Sequence, residues 1–296
     1  MLKTPLIEVT NKLNIKNGNK IFLKLESLNL SGSIKDRIVK YILDDGIKNN
    51  NINDNTTVVC ASSGNTGISV AMNCALYGLK CIIITNPKCS EEKKNIMKAY
   101  GVDLRIKESN YEAEEKVIAK SIENSFQINQ YDNILNSEAY VKTLGPEINN
   151  ELDSVDYIVA AGSTGGTITG LAHYFKNILK LNTEIVLADP FGSELFNLKN
   201  NTDIKDSYKT IIEGAGKSKE TEVMNLSLID HTYKISDEES LDMCRKVAKF
   251  GYLLGGSSGL NICGSLKLID ELNLKNKNIV VICPDAGYRY LSKIYC

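Results

Sequence analysis

Lys35 occupies a chemically unusual position. The string Lys24-Leu-Glu-Ser-Leu-Asn-Leu-Ser-Gly-Ser-Ile-Lys-Asp-Arg37 runs from an apolar stretch through a Ser/Gly turn into a helical pattern, and it puts the amine in the first helical turn. A cation there opposes the helix dipole, and the same field favours the neutral, nucleophilic amine. A solvated surface lysine would carry the same letters. Three further turns share one grammar: Ala61-Ser-Ser-Gly-Asn-Thr-Gly67, Gly162-Ser-Thr-Gly-Gly-Thr167 and Gly255-Gly-Ser-Ser-Gly-Leu260. Each follows an apolar run and opens a helical pattern, so free N–H groups face whatever sits in the turn and can hold an anion. Any one of them would pass for a tight connection. Together they favour a ligand.

Familiar nucleotide signatures do not fit. Gly214-Ala-Gly-Lys-Ser218 resembles the end of a Walker loop, but the glycine required five residues before Gly216 is Ile211. The glycines of residues 162–170 fall at the first, fourth, fifth and ninth places, which is not G-x-G-x-x-G. Lysine plus arginine (35) nearly balances aspartate plus glutamate (36), which removes the electrostatic footprint of a nucleic-acid partner. His173 and His231 flank no nucleophile, so a Ser-His-Asp or Cys-His machine has little to build on. The eight cysteines form no C-x-x-C pair and several lie in apolar runs, so they read as reduced core thiols and no metal site is expected. No run approaches the roughly 18 apolar residues of a membrane span, and residues 1–6 lack a signal-peptide core. The expectation is a cytoplasmic protein with no membrane partner.

The elements that must position these residues alternate between short β-branched runs and longer amphipathic ones. Strands are predicted at 20–26, 56–61, 81–85, 103–107, 156–161, 184–188 and 278–283. Helices are predicted at 34–47, from 66, at 90–100, 111–122, 138–152, 167–179 and 237–250, and from the 255–259 turn to about 272. The alternation predicts parallel sheets covered by helices. Residues 189–228 are the least periodic and read as loop-rich and mobile.

Residues 24–37 resemble the lysine segment of pyridoxal-phosphate enzymes of the tryptophan-synthase-β fold type (fold type II), within them the cysteine synthase (O-acetylserine sulfhydrylase) and cystathionine β-synthase family. The similarity extends over most of the chain. Thr4-Pro-Leu6 is similar to the family's opening, Ser63-Gly-Asn-Thr-Gly67 to its substrate loop and Thr164-Gly-Gly-Thr-Ile-Thr-Gly170 to its phosphate loop. Gly256-Ser-Ser-Gly259 and Pro284-Asp-Ala-Gly-Tyr-Arg-Tyr290 are similar to its closing elements. Ser163, Leu30 and Cys89 stand where the family has glycine, proline and methionine.

The resemblance implies an α/β fold: two three-layer αβα domains with twisted, mostly parallel sheets and the cofactor in the cleft between them. Residues 1–35 plus 139–296 would form the larger, cofactor-binding domain and 36–138 a smaller, mobile one. It implies pyridoxal 5'-phosphate bound as a Schiff base to Lys35, the catalytic residue. Asn65 would lie beside the ring hydroxyl, Ser163, Thr164, Gly165, Gly166 and Thr167 around the phosphate, and Ser257 at the pyridine nitrogen. Ser62, Ser63, Thr66, Gln130 and Gly214 would contact the substrate. A neutral serine hydroxyl cannot keep the ring nitrogen protonated, which favours loss of a β-substituent over transamination.

The implied activity is therefore β-replacement on an L-serine- or L-cysteine-type amino acid through an aminoacrylate. The leading form is a cysteine synthase joining O-acetyl-L-serine and sulfide. The same site could take L-cysteine first, releasing hydrogen sulfide and adding water or a second thiol to form lanthionine or cystathionine. From another class, the chain could be a degenerate cofactor binder serving as a partner or sensor protein; retention of Lys35, Asn65 and Ser257 argues against that. The implied partners are a small amino acid and sulfide or a thiol, and the implied assembly is a homodimer. With no family regulatory module expected at either end, the chain reads as a bare catalytic unit. Lys217 and Lys219, where the family has small and apolar residues, suggest a cationic entrance that recruits an anionic second substrate or leaving group; ordinary surface lysines are the alternative.

Overall fold

In the computed structural model, residues 3–108, 111–206 and 208–296 are described. Two sheets organise the chain. Strands β1 (Leu6–Glu8) and β2 (Lys20–Leu25) lead into helix α1 (Lys35–Lys48). Then follow β3 (Thr57–Ala61), α2 (Asn65–Tyr77), β4 (Lys80–Thr85), α3 (Glu91–Ala99), β5 (Asp103–Ile106), α4 (Tyr111–Lys120) and β6 (Ser125–Gln127). The four strands β3 to β6 form an all-parallel sheet of order β5-β4-β3-β6. After α5 (Leu135–Lys142) and α6 (Leu144–Glu151), the chain continues through β7 (Tyr157–Ala161), α7 (Gly166–Ala172), β8 (Glu184–Pro190), α8 (Leu195–Asn200), β9 (His231–Ile235), α9 (Asp237–Ala248), α10 (Gly256–Glu271) and β10 (Asn278–Cys283). These strands join β1 and β2 in a six-stranded sheet of order β1-β2-β10-β7-β8-β9, parallel except for β1 against β2.

Alternation along the strands explains the layers. Ile279, Val281 and Cys283 of β10 pack with residues of α9 and α10, whereas Val280 and Ile282 face the side of α1, α5, α6 and α7. Both faces are apolar because both are covered, as a parallel sheet requires. In the smaller sheet Val58 and Cys60 pack with α1 and α2 residues, while Val59 packs with Ile118 and Ala119 of α4. The predicted mostly parallel α/β architecture is thus observed, with one continuous core running from one sheet to the other through α1.

Two local expectations are corrected. The single helix predicted at 138–152 is two helices broken at Thr143 (φ −125°, ψ −72°). Pro146 has no N–H to continue the α5 ladder, so the chain restarts one turn earlier. The helix predicted at 167–179 changes to a π-helical turn, His173–Ile178, after Ala172. The apolar run before α10 pairs only through an isolated bridge between Leu254 and Ala286. Strands β1, β6 and β9 and helix α8 were not predicted. Within 189–228 the chain is anchored by Gly216 N–H to the Gly162 carbonyl (2.7 Å) and Glu194 N–H to the Lys217 carbonyl (2.9 Å).

Candidate active site

The start of α1 is held by buried charge. Arg37, wholly inside, donates through Nε and Nη2 to Glu26 (2.5 and 2.8 Å) and through Nη1 and Nη2 to Glu147 of α6 (2.8 and 2.7 Å). Thr4 donates to the same Glu26 at 2.6 Å, and buried Lys24 reaches Glu151 at 2.7 Å. Such a cluster adds little over apolar packing but tolerates few geometries. Here it clamps β2, α6 and the first turn of α1 together and thereby places Lys35. The backbone N–H of Ile34 to the Pro284 carbonyl (2.8 Å), and a bridge between Ser33 and Asp285, join that turn to the end of β10.

Lys35 looks into a narrow space lined by Asn65, Ser163, Thr164, Gly165, Thr167, Glu213, Gly214, Ser257 and Asn261, which continues into a cavity of about 260 Å³. Its pKa is lowered from 10.5 to about 8: burial disfavours the ammonium, and the charge of Asp285 partly restores it.

One wall is the turn after β7. Gly165 has φ +84°, and a Cβ there would stand 2.4 Å from Met224 Cβ; a Cβ on Gly166 would stand 2.0 Å from Asn136 Oδ1. Gly165 admits no side chain without strain and one at Gly166 would have to displace the Asn136 side chain, so the start of α7 carries no side chain over its first N–H groups, which suits an anion. The Thr164 carbonyl accepts from Thr221 Oγ1 at 2.6 Å, and its hydroxyl accepts from Asn136 at 3.2 Å.

The other wall is the turn into α2. Ser62, Ser63, Gly64, Asn65 and Thr66 border the larger cavity with Gln130, Tyr131 and Gly214. Thr66 Oγ1 donates to Gln130 Oε1 at 2.7 Å, so the turn and Gln130 form one unit. A Cβ added at Gly64 or Gly214 would meet nothing within 4 Å, so both glycines leave room for a ligand. The residues expected to hold cofactor and substrate all border this junction except Gly166, which lies at the helix start behind the lining.

Residues without an assigned role also gather here. Asp285 Oδ2 accepts from Asn65 Nδ2 (2.7 Å) and from the Tyr290 hydroxyl (2.6 Å), and Arg289 Nη1 donates to Asn65 Oδ1. Lys93 of α3, only 2% exposed, pairs with Glu213 and lies 4.9 Å from the Tyr290 ring centre. Lys293 takes the other Glu213 oxygen at 2.7 Å. The available signal was the Pro284–Tyr290 string, but nothing local says whom Asp285 meets. The cationic entrance is a further correction. The space beside Tyr131 carries Lys116, Lys217 and Lys219 together with Glu115, Asp132, Glu220 and Glu222, and Lys217 Nζ stands 4.1 Å from the Tyr131 ring centre.

The cysteines are all unpaired, and burial pushes the Cys244 and Cys263 thiols up to about 12. Among the described residues no group of His, Cys, Asp and Glu could hold a metal ion, and no helix is long and apolar enough to cross a membrane.

Residues 1–285 match the family described as pyridoxal-phosphate dependent enzyme. Among solved structures, an O-acetylserine dependent cystathionine beta-synthase from Helicobacter pylori is similar with 33% identity and a TM-score of 0.91, over 100% of this chain and 96% of that one. An O-ureido-L-serine synthase is similar with 23% identity and a TM-score of 0.89, over 98% and 91%; it attests the fold alone.

Proposed function

Because the chain belongs to the pyridoxal-phosphate-dependent enzymes, we propose that it catalyses β-replacement on an activated L-serine, with O-acetyl-L-serine as donor and a sulfur nucleophile as acceptor. The observation that carries the reading is the Lys35 amine, desolvated so that its pKa falls to about 8 and set between two turns able to receive anions. The site fits pyridoxal 5'-phosphate: the glycine turn at 165–166 offers N–H donors to a phosphate with no side chain over them, and the gaps at Gly64 and Gly214 leave room beside Lys35 for ring and substrate. When bound, the cofactor supplies an aldehyde that joins amines and an electron sink for charge at the α-carbon.

The chain's own residues supply the rest. Lys35 would hold the cofactor through its aldehyde and would serve as the base for the α-proton; a pKa of about 8 suits an amine that accepts and returns a proton near neutral pH. Ser163, Thr164, Gly165, Gly166 and Thr167 hold the phosphate. Asn65 would lie beside the ring hydroxyl, and Ser257, buried in the first turn of α10, would offer the ring nitrogen a hydroxyl that cannot fix a positive charge there. Ser62, Ser63, Thr66 and Gln130 take the substrate carboxylate at the N-terminus of α2, where the dipole favours it. Gly214 leaves the amino-group side open.

With sulfide as acceptor the product is L-cysteine and acetate leaves. A second reading, an amino-acid thiol as acceptor to give cystathionine, is supported by the name of the 33%-identical relative and by the charges of both signs beside Tyr131. The test is a competition: purified enzyme receives O-acetylserine with sulfide, O-acetylserine with homocysteine, or cysteine alone, and the products are quantified. Acetate release coupled to a thioether or cysteine supports the reading. Turnover of cysteine alone at a higher rate, or none with any mixture, overturns it. Borohydride reduction followed by peptide mapping should fix the cofactor on Lys35.

A further inference from the structure

Asp285 sits where the two sheets meet, between the loop after β10, the first residue of α2 and the first turn of α1. Its backbone is pinned by the bridge to Ser33 and by Gly255 N–H to its carbonyl (3.1 Å). Space around it is fully used: a Cβ on Gly255 would stand 2.0 Å from Oδ1. A carboxylate in so tight and dry a place is costly unless it is partnered. Its partners are the Tyr290 hydroxyl, the Asn65 amide and the charges of Lys35, Lys93 and Arg289; Cys244 on α9, Cys283 on β10 and Tyr295 are the remaining titratable groups around it.

The two contacts to Asn65 decide its orientation. A guanidinium only donates, so the Asn65 atom facing Arg289 must be the oxygen; a carboxylate only accepts, so the atom facing Asp285 must be the nitrogen. The amide therefore cannot turn over. Its N–H groups serve Asp285 and the neighbouring Tyr290 oxygen, so the amide is held in one orientation at the edge of the cavity that Asn65 shares with Lys35.

We infer that Asp285 is a positioning residue of this site: it fixes which way the Asn65 amide faces at the cavity edge and, bridged to Ser33 beside the first turn of α1, places a negative charge behind the Lys35 amine. The inference rests on the proposed site but not on the proposed substrates. It requires only that Lys35 and Asn65 face the same ligand.

The test uses Asp285→Asn, which keeps shape and removes the charge. The full chain, stripped of cofactor and shown by thermal melting to remain folded, is labelled competitively with an amine reagent from pH 6 to 10, and the Lys35 peptide is quantified by mass spectrometry. Loss of the countercharge should raise labelling of Lys35 at pH 7 roughly fivefold. In the loaded protein the dissociation constant of pyridoxal phosphate, followed by its visible absorbance, should rise about tenfold as Asn65 becomes free to turn. Tyr290→Phe, which removes a partner of both Asp285 and Asn65 but leaves the carboxylate charge, should weaken cofactor affinity by less without raising Lys35 labelling, and it keeps the test open if Asp285→Asn does not fold. Unchanged labelling and unchanged cofactor affinity in a folded variant overturn the inference. Either result is independent of which donor and acceptor the enzyme turns over.

Discussion

Replacing Lys35 by methionine should abolish activity and make the cofactor-free protein more stable. In the folded chain the amine is pulled from 10.5 to about 8, so keeping it charged there costs about 3 kcal/mol more than in the unfolded chain, at about 1.4 kcal/mol for each tenfold change. The cost is fully present below pH 8, where both states carry the proton. Between pH 8 and 10.5 the unfolded chain binds more protons than the folded one, so stability rises with pH, and above 10.5 the cost is gone. Methionine has a similar length and no charge, so the variant should exceed the parent by about 3 kcal/mol at pH 7, or about 6 °C for a chain of this size. The gap should close by about pH 10.5; tyrosines and other lysines titrate in both proteins and cancel in the difference. Urea midpoints of the two proteins at pH 7, 9 and 10.5 measure this, with the cofactor removed because its binding adds its own stabilisation. A parent as stable as the variant at pH 7, or a gap that ignores pH, would refute the burial argument for the low amine pKa.

Gly165→Ala should weaken cofactor retention at least about tenfold and cost about 2 kcal/mol, because φ is +84° and the new methyl would lie 2.7 Å from the Met224 Cα, backbone that cannot step aside; equilibrium dialysis and melting report both. Glu213→Gln should destabilise by about 3 kcal/mol at neutral pH by leaving Lys93 buried without its anion. Burial works to raise the Glu213 carboxyl, but Lys93 and Lys293 outweigh it and hold it below its usual range. The pair's contribution is therefore present above about pH 4.5 and lost as pH falls through the lowered value, and denaturation curves of parent and variant should converge in acid. Arg37→Lys should cost about 3 kcal/mol, since one ammonium cannot serve both Glu26 and Glu147; a urea midpoint equal to the parent's would count against the clamp.

The elements with strong periodicity were legible. The run Ile279-Val-Val-Ile-Cys283 is strand β10 with both faces covered, and the Ser90 and Ser236 caps open α3 and α9 where the sequence puts them. Two edge strands were not: His231–Ile235 mixes polar and apolar residues and Ser125–Gln127 is only three residues long, and both exist because β8 and β3 offer them a hydrogen-bonding edge. The break at Thr143 was visible in Pro146 only to a reader who allowed its effect to reach one turn back.

Within the site, the sequence by itself determined the local devices. An amine in the first turn of a helix and two glycine turns that bare helix N-termini are properties of neighbouring residues, and backbone sterics dictate them wherever the chain goes. What only the tertiary structure decided is who faces whom. Asn65 meets Asp285 across 220 positions, Lys93 meets Glu213 across 120, and the lysines expected to make the entrance positive share it with carboxylates. Charge acts through space in a poorly screened interior, so its consequences depend on distances that packing sets and that no local pattern encodes.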